Sequence, residues 1–184
     1  MSSDEIKDEF ISEKEKIRLN LGKDYKIVSY PYGESNKNIE DIVMEMGYKL
    51  AFSQHSSPIH YKENKFNLPR FAINDEFGSM KRFKQIVNSK PLIFSNLKIL
   101  DKNLKLGHLK IQFESISKAQ DINCYINNNA TITKKNHEKI IELKFSNLVH
   151  GNSYRLNCTY FNENRELFWN GRIIKITEKS VRLN

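Results

Sequence analysis

The feature that most constrains this chain is a change of period at Ser89-Lys90-Pro91. Before it, apolar residues recur at helical spacing between short apolar runs. After it, short runs alternate and no helical stretch stands out. The 184 residues leave room for one domain or two small ones. The reading is an α/β region over 1–89 followed by an all-β region over 90–184.

In the first region, Ile6, Phe10, Ile17 and Leu21 follow helical spacing from Ser3 onward, and Gly22 ends the run. Lys26 to Tyr30 reads as a short buried strand, broken by Pro31 and Gly33. Ile39, Ile42, Val43 and Met46 line one face of a second helix, stopped by Gly47. Tyr48 to Ser53 reads as a strand, and a polar loop runs to Leu68. Arg70 to Ile73 reads as a third strand, and Met80, Phe83, Ile86 and Val87 mark a third helix. Alternation of strand and helix predicts a parallel sheet with helices outside.

The second region offers Leu92–Leu100, Leu109–Ile116, Ile122–Ile126, Lys139–Phe145, Tyr154–Phe161 and Glu166–Ile176 as strands. Asn127-Asn128-Asn129, Gly107, Gly151-Asn152 and Asn162-Glu163-Asn164 are turn material. About seven short strands with such turns predict an antiparallel β-sandwich. Cys124 and Cys158 each fall in a strand, and two outcomes stand: a bridge, or two buried thiols acting as small hydrophobes.

Charge narrows the function. Residues 1–90 hold 15 Lys+Arg against 14 Asp+Glu, and residues 91–184 hold 15 against 8. The excess is mostly lysine scattered among asparagines, without the clustered arginines and aromatics of a nucleic-acid stripe. No nucleic-acid partner is expected. No apolar run approaches the roughly 20 residues of a membrane helix. The start, Met-Ser-Ser-Asp-Glu, is not a signal peptide. Two cysteines are too few for a disulfide-dense scaffold or a four-thiolate zinc site. Phosphate-loop, dinucleotide-binding, zincin and nucleophile-elbow motifs do not occur.

Ser29-Tyr30-Pro31-Tyr32-Gly33-Glu34 closes a strand and opens a loop before a helix. It resembles the third motif of the NodB-homology polysaccharide deacetylases, carbohydrate esterase family four. Gly47-Tyr48-Lys49-Leu50-Ala51-Phe52 looks like that family's next helix-strand junction. Gln54-His55-Ser56-Ser57 resembles a Gln-His-Ser-Gly stretch, and Leu68-Pro69-Arg70-Phe71 a Leu-Pro-Arg-aromatic strand, of one bacterial branch. Asn157-Cys158-Thr159 and Arg165 to Trp169 resemble the β-sandwich that follows the barrel there. The resemblance implies a partial (β/α) deacetylase barrel followed by a β-sandwich.

It also implies a chemistry: a divalent, zinc-like metal activates water to remove acetyl groups from polysaccharide. In this role the backbone N–H of Tyr32 is the oxyanion donor. The arginine that usually precedes the proline is absent, since Ser29 and Tyr30 stand there, and Arg70 is the candidate to supply its charge. His55 is the candidate proton donor. Tyr30, Pro31, Glu34, Gln54 and Ser56 are candidate sugar contacts. Each has a plainer alternative: a packed turn aromatic for Tyr32, a surface ion pair for Arg70, a solvated loop histidine for His55. His55 and His60 have the wrong spacing for a metal-holding helical face.

The family's Asp-Asp and His-x3-His motifs, which hold the metal, do not occur here. No metal ligand is therefore assigned, and no cofactor is expected on this chain alone. Met1 looks like a truncation, a split gene or a displaced start. The leading expectation is a polysaccharide deacetylase-like protein, inactive alone, completed by its missing N-terminal half or steadied by a homodimer partner. The alternative is a non-catalytic carbohydrate-binding or assembly module.

Overall fold

The computed structural model describes residues 2–115, 119–177 and 180–183. They divide into two compact units, Met1–Gln54 with Tyr61–Arg70, and His55–His60 with Phe71–Asn184. As expected, an N-terminal α/β region precedes a mostly antiparallel all-β region.

In the first unit, helix α1 (Ser3–Leu21) starts at a capping box in which Ser2 Oγ accepts from Glu5 N–H and Glu5 accepts from Ser2 N–H. Gly22, in the left-handed conformation, ends it. Strands β1 (Ile27–Ser29) and β2 (Leu50–Phe52) pair in parallel, with Val28 opposite Ala51. Helix α2 (Lys37–Glu45) connects them and is capped by Asn36. Tyr30, Val43, Tyr48 and Ala51 form the small core, with Phe10 of α1 edge-on to Tyr48.

The strand expected at Arg70–Ile73 does not form. Pairing beside β2 is limited to a single parallel bridge, Phe52 with Leu68, and Ser53 N–H donates to the Leu68 carbonyl. Pro69 then removes a ladder donor, and Ala72 and Ile73 are exposed, so neither hydrogen bonding nor burial holds a strand there.

In the second unit, helix α3 (Met80–Val87) is capped by Ser79. The strands that follow are β3 (Lys90–Pro91), β4 (Phe94–Asn103), β5 (His108–Ser115), β6 (Asn123–Ile126), β7 (Thr131–His137), β8 (Ile140–Ser146), β9 (Ser153–Phe161), β10 (Leu167–Ile176) and β11 (Val181–Leu183). One sheet has the order β11-β10-β9-β6, with β3 parallel to β10, and the other β4-β5-β8-β7. Their inward residues meet in one cluster that includes Ile111, Phe113, Leu143, Phe145, Leu156 and Ile174, which makes this a β-sandwich.

Ile116, the expected end of one strand, lies outside the described residues. Asn128 and Asn129 take left-handed φ of 58°, as turn residues should. Three strands escape a reading by pattern. β7 is an edge strand of sequence Thr-Ile-Thr-Lys-Lys-Asn-His, so one aliphatic residue marks its inner face. β3 and β11 have two and three residues, too few to show a period. Cys124 and Cys158 face each other across β6 and β9 and are bridged, which resolves the choice left open by the sequence.

Candidate functional site

The loop after β1 is built by two overlapping turns. Gly33 N–H donates to the Tyr30 carbonyl at 2.9 Å, and Glu34 N–H to the Pro31 carbonyl at 3.1 Å. Pro31 sets the first corner, as its fixed φ favours. Tyr32 then takes φ 55° and ψ 9°, a left-handed conformation that costs an ordinary residue about 1–2 kcal/mol. The turn's two hydrogen bonds do not use the Tyr32 N–H. The ring is 84% exposed, so packing does not hold the residue in this conformation.

The neighbours hold it instead. Gly33 is buried at φ 71° against the backbone of Gln54, where an added Cβ would collide. Ser53 donates its hydroxyl to the Gly33 carbonyl at 2.7 Å. Gln54, with its amide oriented to satisfy both ends, donates to the Tyr32 carbonyl at 3.2 Å and accepts from Arg70 Nη2 at 3.1 Å. The Tyr32–Gly33 peptide is thus held at its carbonyl by an amide that also carries a guanidinium.

Tyr30 faces the core: it is 2% exposed and donates its hydroxyl to the Phe66 carbonyl at 2.8 Å. Burial, reinforced by the charge of Glu40, pushes its phenol well above the ordinary tyrosine range. Pro31 and Glu34 are exposed on the turn.

His55 and Ser56 belong to the packing of the second unit. His55 is 2% exposed, and its Nδ1 is buried without a hydrogen-bond partner. Burial, helped by the positive charge of Arg172, pushes its pKa down to about 4. The Ser56 backbone lies over Gly171, where a Cβ would meet its carbonyl. Ser57 donates to the Trp169 carbonyl at 3.2 Å.

Of the residues proposed from sequence, Tyr32, Gln54 and Arg70 are joined by hydrogen bonds, and Pro31 and Glu34 share their turn. The pattern missed Ser53, although a hydroxyl at the end of β2 is well placed to meet the loop that follows the parallel neighbour β1.

Among the described residues, no group of three or more His, Cys, Asp or Glu side chains is placed to hold a metal ion. The loop supplies one carboxylate, an amide, a hydroxyl and a guanidinium, a donor set that does not fit a divalent cation. Among the described residues no helix is long and apolar enough to cross a membrane.

A model of the polysaccharide deacetylase family matches residues 1–51. The match takes in α1, β1, the Tyr32 turn and α2, and stops before Gln54, Arg70 and the all-β region. No curated protein matches the chain. The similarity is therefore to a polysaccharide deacetylase domain over residues 1–51, and it does not extend to the β-sandwich.

Proposed function

We propose that this chain is a polysaccharide deacetylase-like protein whose Tyr32 loop faces the acetylated sugar, and that it does not hydrolyse the acetyl group alone. The observation that carries this reading is the Tyr32 backbone: left-handed, held from behind, and set in the segment the family model covers. In this reading the Tyr32 N–H donates to the acetyl carbonyl oxygen and to the charge that develops on it. Its ring lies along the sugar. The bond from Glu34 N–H to the Pro31 carbonyl holds the peptide that bears this N–H, and Gln54, which also carries Arg70, holds the following Tyr32–Gly33 peptide. Glu34 contacts sugar hydroxyls from the same turn.

The bound metal would supply the activated water and the polarised carbonyl in a complete enzyme. The residues around this loop do not fit it, so in this reading the metal-holding part lies outside the described residues. Polysaccharide is the substrate class.

Amide NMR on the isotopically labelled chain tests the reading. Oligomers of N-acetylglucosamine and an O-acetylated polyuronate are titrated in turn, with acetate release followed in the presence of added zinc. Shifts centred on the Tyr32 and Gly33 amides with no acetate released are the expected result. Zinc-dependent acetate release would overturn the claim that these residues do not hold the metal. Amides of this loop left unmoved by both ligands would overturn the loop's assignment.

A further inference from the structure

The outward face of the β6-β9-β10 sheet carries a cluster with no part in the Tyr32 loop, wholly within the second unit. Strand register places Tyr125 beside Asn157, and Thr159 beside Trp169. Trp169, the chain's one tryptophan, is 9% exposed and donates from Nε1 to Asn157 Oδ1 at 2.9 Å. Phe71 meets it edge-on, with ring centres 5.1 Å apart.

Arg82 of α3 lies over this cluster. Its guanidinium carbon is 5.3 Å from the centre of the Phe77 ring and 5.8 Å from that of the Trp169 ring. Both contacts engage the π faces of the rings, which attract a cation but accept none of the in-plane N–H bonds of a guanidinium. Arg82 Nε is buried and has no hydrogen-bond partner. Among the described residues no carboxylate pairs with Arg82; Asp75 and Glu76, close in sequence, do not.

A permanently charged fork, partly withdrawn from water and unmatched by an acceptor, is costly unless something completes it. The complement with the right shape is a carboxylate, whose two oxygens match two N–H groups. Beside it, Phe77 and Tyr125 remain 41% and 49% exposed. Half-exposed aromatic rings next to a charged donor suit a pyranose, whose C–H face is apolar and whose edge is polar. A nucleic-acid strand would call for a row of cations along its phosphates rather than one guanidinium.

We propose that Arg82, Phe77 and Tyr125 form a binding subsite for a uronate residue of an acidic polysaccharide, with Arg82 forking the sugar carboxylate and the two rings flanking the pyranose. This assignment stands independently of the Tyr32 loop, because neither shares a residue with the other.

Trp169 supplies a local reporter. Trigalacturonate is titrated into the whole chain, following Trp169 fluorescence and heat, with neutral galactotriose, poly-glutamate and poly(dT) in parallel. The expected result is saturable binding of trigalacturonate alone. Arg82→Gln and Tyr125→Ala each weaken it at least tenfold, and Arg82→Lys, which keeps the charge but loses the fork, weakens it several-fold. Lys135→Ala, on β7 of the other sheet, leaves it unchanged, and urea midpoints confirm that each variant is folded. The proposal is overturned by wild-type chain that shows no saturable change at millimolar ligand, or by Arg82→Lys and Tyr125→Ala variants that bind within twofold of wild type. Equal binding of galactotriose would remove the carboxylate from the account. Tighter binding of poly-glutamate or poly(dT) would reassign the surface to a protein or nucleic-acid partner.

Discussion

Acidification should weaken the all-β unit through one side chain, His55. It is 2% exposed, its Nδ1 lacks a partner, and burial beside Arg172 brings its pKa from 6.5 down to about 4. The unfolded chain therefore binds a proton that the folded chain refuses. Stability is fully present above the unfolded value and is lost as pH falls toward the folded one. With 1.36 kcal/mol for each tenfold change, the loss is about 1.4 kcal/mol at pH 5.5 and about 3 kcal/mol by pH 4.

The upper part of that window is the useful one, because most carboxylates remain ionised there. Urea unfolding followed through Trp169 at pH 7.5 and pH 5.5 measures the loss. The His55→Gln variant supplies the reference, since it keeps a polar side chain of similar size and cannot titrate. The wild type should lose about 1 kcal/mol more than the variant over this interval. Equal losses in the two proteins would refute the reasoning and place the proton on other groups.

Opening the Cys124–Cys158 bridge releases a loop whose ends are 34 residues apart, for which chain entropy predicts a loss of about 4 kcal/mol; equal urea midpoints with and without reductant would contradict it. Tyr32→Gly removes left-handed strain from an exposed ring while adding unfolded-state freedom, so it should raise the stability of the α/β unit by about 0.5–1 kcal/mol. Hydrogen exchange of the Val43 and Ala51 amides reads this, and a loss of protection would show that the Tyr32 ring makes stabilising contacts.

The order of elements and the division into an α/β region and an all-β region were legible in the sequence, because helical and alternating periods report directly on which faces are buried. The turns at Pro31-Tyr32-Gly33 and Asn127–Asn129 were legible for the same local reason: proline, glycine and asparagine limit backbone choice. The short peripheral strands were not. β7 has one aliphatic residue, β3 has two residues, and the expected strand at Arg70–Ile73 fails for want of a partner, which no local pattern records.

The site divides along the same line. The likeness of three short segments to family motifs singled out Tyr32, Gln54 and Arg70, which lie up to 38 positions apart in the chain. That Gln54 holds the Tyr32 carbonyl and Arg70 together depends on β1 and β2 lying side by side in parallel. That His55 is buried, that the two cysteines meet, and that Arg82 sits between Phe77 and Trp169 are likewise outcomes of long-range packing. Local sequence governs backbone preference within a few residues. Burial, charge pairing and cross-strand contact are properties of segments far apart in the chain, and only the folded arrangement brings them together.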